Sequence, residues 1–150
     1  MFDPFNGNKK RPTLGCDCVV LTRRNNEWFV LLIERGHDPF KGKWALPGGF
    51  LEWNESCEDG AARELQEETS LEDVDLQLLG VFSKPGRDPR GSIISVSYIG
   101  FVDEDHALKA VGADDAATAQ WFPVSQTPAV AFDHEDILKA AKNFLLSHKL

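Results

Sequence analysis

Residues 49–71 read Gly49-Phe50-Leu51-Glu52-Trp53-Asn54-Glu55-Ser56-Cys57-Glu58-Asp59-Gly60-Ala61-Ala62-Arg63-Glu64-Leu65-Gln66-Glu67-Glu68-Thr69-Ser70-Leu71. Ser56 has N-cap chemistry and Asp59 follows three residues later in a capping-box-like place, so a helix is expected from Ser56 to Thr69. Ala61, Ala62, Leu65 and Thr69 share one face of it. Gly60 weakens its first turn by about 1 kcal/mol relative to alanine. At 100° per residue, Glu64, Glu67 and Glu68 fall together on the arc beside the apolar one.

Like charges three and four residues apart repel by about a few tenths of a kcal/mol each on an exposed helix, and more in a cleft. A bound divalent cation converts that repulsion into affinity. Carboxylate oxygens are hard ligands, and Mg²⁺ commonly takes one or two of them with waters and substrate phosphates. Taken alone, the three acids fit a solvated face beside an arginine equally well.

Outward from this helix the chain alternates strand and helix patterns. Gly15 to Leu21 and Trp28 to Glu34 are β-rich runs separated by Arg23, Arg24, Asn25 and Asn26, a hairpin pattern. The continuous apolar run Val30-Leu31-Leu32-Ile33 predicts a central strand covered on both sides. Trp44-Ala45-Leu46 is a short extended piece ended by Pro47-Gly48-Gly49, whose double glycine suggests a close backbone approach. Asp73 to Phe82, Ser92 to Val102 and Gln120-Trp121-Phe122 read as further strands. Phe132 to His148 reads as a closing helix with Ile137, Leu138, Ala141, Phe144 and Leu145 inward. The order strands, helix, strands, helix predicts an α/β (α+β) fold with a mixed sheet flanked by helices.

The 150 residues suit one domain, 1–150, with 1–12 as a flexible or extended start, and their hydrophobic share of 42% suffices for one core. A net charge of -8 argues against a protein that lies along nucleic acid. Cys16, Cys18 and Cys57 have no zinc or disulfide-framework spacing and read as packing residues in a reducing cytosol. Asp3 and Pro4 interrupt any signal-like start, and no stretch has the length of a membrane span. A cytoplasmic protein without a membrane partner is expected.

Gly49, Glu55, Arg63, Glu64, Leu65, Glu67, Glu68 and Leu71 together resemble the Nudix box: glycine, five residues, Glu, seven residues, Arg-Glu-apolar-any-Glu-Glu, any residue, glycine, apolar. Every spacing is kept over about 23 residues, counted from Gly49 to Leu71. Only Ser70 departs, where the family usually has the glycine that lets the chain leave the helix left-handed, so a modest steric cost is expected there.

The resemblance implies a Nudix-like α/β/α sandwich and a Mg²⁺-dependent pyrophosphohydrolase, with Mn²⁺ able to substitute. By the same resemblance Glu64, Glu67 and Glu68 hold the metal with the backbone carbonyl of Gly49, and Glu55 pairs with Arg63 to position loop against helix. The general base is then one of the box glutamates or an acid in a later loop. Asp114 and Asp115 are the candidates there, and they read equally as an Asx turn or helix cap.

The loops around Arg35-Gly36-His37-Asp38-Pro39-Phe40, Pro85 to Gly91 and Phe132-Asp133-His134 resemble the ADP-ribose pyrophosphatase branch of the family. That implies hydrolysis of a nucleoside diphosphate derivative, ADP-ribose, to AMP and ribose 5-phosphate, and a homodimer. Arg35, Arg87 and Arg90 read as phosphate contacts or as solvated loop residues. Phe40, Trp44 and Phe82 offer stacking faces for adenine or simply belong to the core. His37 and His134 lack metal-ligand spacing, so loop hydrogen bonding or capping is expected of both. Two alternatives stay open: a nucleoside triphosphate pyrophosphohydrolase, and a non-catalytic ADP-ribose sensor. Against the sensor stand the intact acids and a chain end soon after the last helix, without room for a DNA-binding winged helix.

Overall fold

The computed structural model describes residues 10–110 and 116–150. Its organising element is β1 (Thr13–Arg24), which pairs in parallel with β6 (Ile93–Val102) from Thr13 opposite Ile93 to Thr22 opposite Val102. On its other edge, the end of β1 pairs antiparallel with β2 (Glu27–Arg35), while Gly15 to Asp17 pair with β4 (Gly48–Phe50). The β1–β2 connection is Asn25-Asn26, both left-handed at φ 51° and 62°. Asparagine tolerates that conformation, and two such residues give the turn whose twist suits a hairpin. β3 (Trp44–Ala45) and β7 (Ala116–Pro123) pair with β2, and β5 (Leu76–Phe82) closes the far edge against β6. The sheet is mixed, as the hairpin-like links require.

The side-chain alternation of β1 and β2 builds two cores. Cys16, Cys18 and Val20 with Leu31 pack beneath Ala61 and Leu65 of α1 (Cys57–Thr69). Val19 and Leu21 with Val30 and Leu32 pack beneath Ile137, Leu138, Ala141 and Leu145 of α3 (His134–Ser147). Burying each such aliphatic side chain contributes about 1.5–3 kcal/mol. The result is a mixed sheet flanked by helices, as the order of elements predicts, in the α/β/α sandwich that the resemblance implies. Among the described residues, no helix is long and apolar enough to cross a membrane.

Several details depart from the sequence pattern: Arg23 and Arg24 extend β1 and pair with Trp28 and Glu27 rather than turning, and β7 begins at Ala116 rather than Gln120. β5 begins at Leu76 rather than Asp73, because Asp73 turns the chain at φ 56°. α3 begins at His134 rather than Phe132, because Phe132 sits at φ 54°. A short α2 (Glu104–Ala107) follows β6, capped by the Asp103 carboxylate on the His106 N–H. Gly48-Gly49 does not end an extended piece but lies inside β4. Asp114 and Asp115 lie outside the described residues.

Candidate active site

The double glycine is where sheet and acidic helix meet. A Cβ on Gly48 would stand 2.2 Å from the Cys16 carbonyl oxygen and 2.3 Å from Asp17 Oδ1. One on Gly49 would stand 2.5 Å from the Glu64 carboxyl carbon. Only glycine lets the acids of α1 approach β4 this closely. The Gly48 N–H donates to Glu68 Oε1 at 2.7 Å. Burial pushes the Glu68 carboxyl up to about 8, against the Gly48 hydrogen bond and with help from the charges of Glu64 and Asp17. Burial also raises the Glu64 carboxyl, although Arg63 opposes it.

Arg63 is the hub of the loop–helix junction. Its Nε and Nη2 donate to the two oxygens of Glu55 at 2.7 and 2.9 Å, and Nη2 also reaches the Phe50 carbonyl oxygen at 3.1 Å. Its Nη1 donates to Glu64 Oε1 at 2.7 Å and Glu67 Oε2 at 3.2 Å. The Arg63 fork, with the Glu52 N–H, holds the Glu55 carboxyl down at about 2. Upstream, Ser56 caps the helix by accepting from the Asp59 N–H, and at the far end Ser70 adopts the left-handed conformation at φ 65°. Among the described residues no three His, Cys, Asp or Glu side chains form a ready coordination cage. Arg63 draws Glu64 and Glu67 to itself, and Gly48 holds Glu68.

These acids border a cavity of about 350 Å³ whose lining also includes Arg35, Arg87 and Arg90. The three arginines differ in what they have free. Arg87 is buried, with Nη2 2.6 Å and Nε 2.9 Å from the two oxygens of Asp133. Arg90 grips Asp88 through Nη2 and Nε, and its guanidinium lies 4.8 Å from the ring centre of Phe50 and 5.3 Å from that of Phe132. Burial alone would raise the Asp88 carboxyl, but the Arg90 hydrogen bonds outweigh it and hold it below its ordinary value. Arg35 donates through Nε to the Pro39 carbonyl oxygen at 2.7 Å and lies 4.9 Å from the Phe132 ring centre. Burial, then the charge of Arg90, lowers its pKa.

Of the aromatic candidates, Phe40 is not part of the cavity lining but meets Phe132 edge-on at 4.8 Å. Trp44 packs on Phe122, and both join Phe82 in the core beneath α3. The cavity aromatics are instead Phe50 and Phe132.

Asp17, Ser95 and His134 also line the cavity. Asp17 Oδ2 accepts from the Ser95 hydroxyl, which lies 2.8 Å from the Ser97 hydroxyl. His134 Nδ1 accepts the Leu46 N–H at 3.0 Å, and burial lowers the pKa of the ring. The sequence signal for Asp17 was an acid between Cys16 and Cys18 in an otherwise apolar strand. Ser95 carries no comparable signal.

Residues 12–141 match the family model of the NUDIX domain. The chain belongs to the Nudix family. A Nudix relative from Methanocaldococcus jannaschii, described as ADP-ribose pyrophosphatase, is 49% identical over 128 residues, which span 85% of this chain and 72% of that protein. The crystal structure of a mutT/nudix family protein from Listeria innocua superposes with a TM-score of 0.80 at 40% identity, covering 93% of this chain and 98% of the other. The NUDIX domain of Shewanella oneidensis NrtR, solved in complex with ADP ribose, superposes with a TM-score of 0.81 at 29% identity, covering 96% and 94%. The Nudix box of this chain is thus the segment from Gly49 through α1 to Leu71, with Ser70 at its one departure.

Proposed function

We propose that this Nudix chain hydrolyses ADP-ribose to AMP and ribose 5-phosphate with Mg²⁺, Mn²⁺ substituting. The observation that carries the proposal is that one cavity of small-molecule size is lined both by Glu64, Glu67 and Glu68 and by Arg35 and Arg90. Acids to hold a cation and guanidinium groups to receive phosphate oxygens are the complement of a pyrophosphate. The 49% identical relative described as an ADP-ribose pyrophosphatase supports this choice among Nudix substrates.

The donor set suits Mg²⁺: every group is an oxygen, and the glycines of β4 leave room where a side chain would fill the space beside Glu64. Glu64, Glu67, Glu68 and the Gly49 carbonyl would hold the cation. When bound, Mg²⁺ supplies the positive charge that orients water and stabilises the pyrophosphate oxygens during attack on phosphorus. Glu55 holds Arg63, and Arg63 holds the loop after β4 against α1. Arg90, backed by Asp88, and Arg35 would bind the anionic substrate, and Phe50 and Phe132 lie beside them. The proton of the attacking water goes to a box glutamate or to Asp115: a loss of kcat in Asp115→Asn at unchanged Mg²⁺ affinity assigns it to Asp115, and wild-type kcat there assigns it to the box. We extend the proposal to a cytoplasmic homodimer without nucleic-acid or membrane partners.

The test is hydrolysis of ADP-ribose, NADH, diadenosine polyphosphates and nucleoside triphosphates side by side with Mg²⁺ and Mn²⁺. ADP-ribose is expected to give the highest kcat/KM, with AMP and ribose 5-phosphate as products. A flat, slow profile, or pyrophosphate released from triphosphates in preference, overturns the assignment. Glu68→Gln should slow turnover by about 10²- to 10⁴-fold, the effect of removing roughly 3–5 kcal/mol of transition-state stabilisation. The likeness to the ADP ribose-bound NUDIX domain favours one second reading, a sensor that binds without turnover. A Mg²⁺-dependent single-turnover assay distinguishes it.

A further inference from the structure

Three consecutive residues leading into α3 reach three parts of the cavity wall. Phe132 meets Arg35 and Arg90, Asp133 grips Arg87, and His134 turns inward to the link between β3 and β4. We infer that His134 is a positioning residue for the acids of α1, acting through Leu46 and Asp17 on the Gly48–Gly49 backbone. This inference rests on the proposal that Glu64 and Glu68 hold the metal.

The Leu46 N–H can only donate, so the Nδ1 that receives it at 3.0 Å carries a lone pair. The proton of the neutral ring therefore lies on Nε2, which stands 3.6 Å from Asp17 Oδ1. Asp17 Oδ1 in turn lies against Gly48, within 2.3 Å of where a Cβ would be, while its Oδ2 is held by Ser95. Gly48 passes the contact to Glu68 through its N–H, and Gly49 faces the Glu64 carboxylate. Between them, the Pro47 carbonyl oxygen accepts the Cys18 N–H at 2.8 Å. Residues 46–49 are thus pinned at one end by the imidazole and at the other by the box acids. The ring is only 4% exposed, so it acts behind the acids rather than on substrate. Groups hydrogen-bonded directly to metal ligands typically change metal affinity by about 10- to 100-fold when removed, and His134, which stands at least one contact further back, is expected at or below the low end of that range.

The test uses His134→Ala, His134→Asn and His134→Gln in the full chain. Metal-free protein is titrated with Mn²⁺ by calorimetry, and kcat and KM for ADP-ribose are measured separately. Asparagine places an amide oxygen near the Nδ1 position and keeps an acceptor for Leu46, whereas glutamine reaches toward Asp17. His134→Ala is expected to weaken Mn²⁺ binding about five- to tenfold and to lower kcat by a similar factor, with KM changed less than about threefold. Rescue by Asn assigns the effect to the Leu46 contact, rescue by Gln to the Asp17 contact, and rescue by neither to the two acting together. Variants that melt lower yet bind Mn²⁺ with wild-type affinity overturn the inference and leave His134 as core packing. Should none of the three fold, Asp17→Asn is titrated in their place: weakened Mn²⁺ binding supports the inference and wild-type binding overturns it. Glu68→Gln is the control. Unchanged Mn²⁺ affinity in that variant means that the metal proposal itself has failed. Lost affinity there, beside wild-type affinity in the His134 and Asp17 variants, means that only the positioning role has failed.

Discussion

Arg87 and Asp133 form a two-pronged ion pair, Nη2 to Oδ1 at 2.6 Å and Nε to Oδ2 at 2.9 Å, between residues 46 positions apart. The arginine side chain is 4% exposed and the aspartate 16%, so the pair ties the β5–β6 loop to the start of α3 largely out of water. It also leaves Arg87 little to offer a substrate phosphate. The sequence reads Arg87, like Arg35 and Arg90, as a phosphate contact or a solvated loop residue, whereas the structure buries it and commits its fork to Asp133.

Removing one partner of a buried pair strands the other charge, which costs about 3–5 kcal/mol. Asp133→Ala should therefore lower unfolding stability by that amount in urea titrations. Arg87→Lys keeps the charge but not the planar fork, and should lose a smaller part. A loss under about 1 kcal/mol for Asp133→Ala would refute the assignment of the pair as structural.

Gly60→Ala gives a test in which sequence and structure predict opposite signs. Helix propensity alone predicts a gain of about 1 kcal/mol. The Cβ would instead meet Leu51 Cδ2 at 2.4 Å and Glu55 Oε1 at 2.9 Å. Overpacking there should destabilise the chain by about 1–3 kcal/mol and disturb the Glu55–Arg63 junction. Chemical denaturation decides it, and a more stable variant would contradict the geometry.

The contrast at Gly60 marks what the sequence could and could not reveal. α1 was legible in its cap, its apolar face and its acids, because each depends on neighbours within a turn or two. The two-sided core of β2 was legible too, because an apolar run has only one way to be satisfied in a sheet. The β1–β4 register, which sets Asp17 against Gly48, joins residues more than 30 positions apart and leaves no local pattern. For the same reason Phe50 and Ser95 are not legible as cavity residues, and the Phe132-Asp133-His134 stretch, although it bears on substrate, does not reveal that the Phe132 ring rather than the Phe40 ring packed on it faces the cavity.

Ser70→Gly should stabilise the protein. Ser70 sits at φ 65°, where a residue with a Cβ is disfavoured by about 1 kcal/mol, and its N–H already closes the helix on the Gln66 carbonyl oxygen. Glycine keeps that hydrogen bond and removes the steric cost, although the freer unfolded chain offsets part of the gain. A rise in the denaturation midpoint at unchanged slope is the expected result, and a fall would show that the serine side chain has a compensating contact.

Glu68 makes metal-free stability and metal binding depend on pH in a defined direction. Its carboxyl stands at about 8 in the folded chain, raised chiefly by burial, against an ordinary value of 4.5. Between these values the folded state keeps a proton that the unfolded state has released. The contribution to stability is therefore complete below the ordinary value and is lost as pH rises through the folded one. A divalent cation takes the proton's place, so Mg²⁺ should raise Tm more at about pH 8.5 than at about pH 6, and its binding near pH 6–7 should release protons. Thermal scans with EDTA or Mg²⁺ across this range test both statements. Equal Mg²⁺ shifts at the two ends would remove Glu68 from the metal site.

Phe132 lies against both arginines proposed to receive the substrate. Its ring centre lies 4.9 Å from the Arg35 guanidinium and 5.3 Å from that of Arg90, and its backbone is held at φ 54°, where a bulky residue persists only if its surroundings hold it. Phe132→Leu keeps apolar bulk but removes the π face, and each such contact contributes about 0.5–2 kcal/mol. Both arginines would lose a support that places them, while the hydrogen bonds that hold Glu68 to Gly48 and Arg63 to Glu55, Glu64 and Glu67 do not involve Phe132. KM for ADP-ribose should rise about tenfold and kcat fall less than about threefold, since a loss of roughly 1.4 kcal/mol in substrate binding corresponds to a factor of ten. Steady-state kinetics separates the two constants. A fall in kcat at constant KM would place Phe132 with the acids proposed to hold the metal rather than with the arginines proposed to receive the substrate.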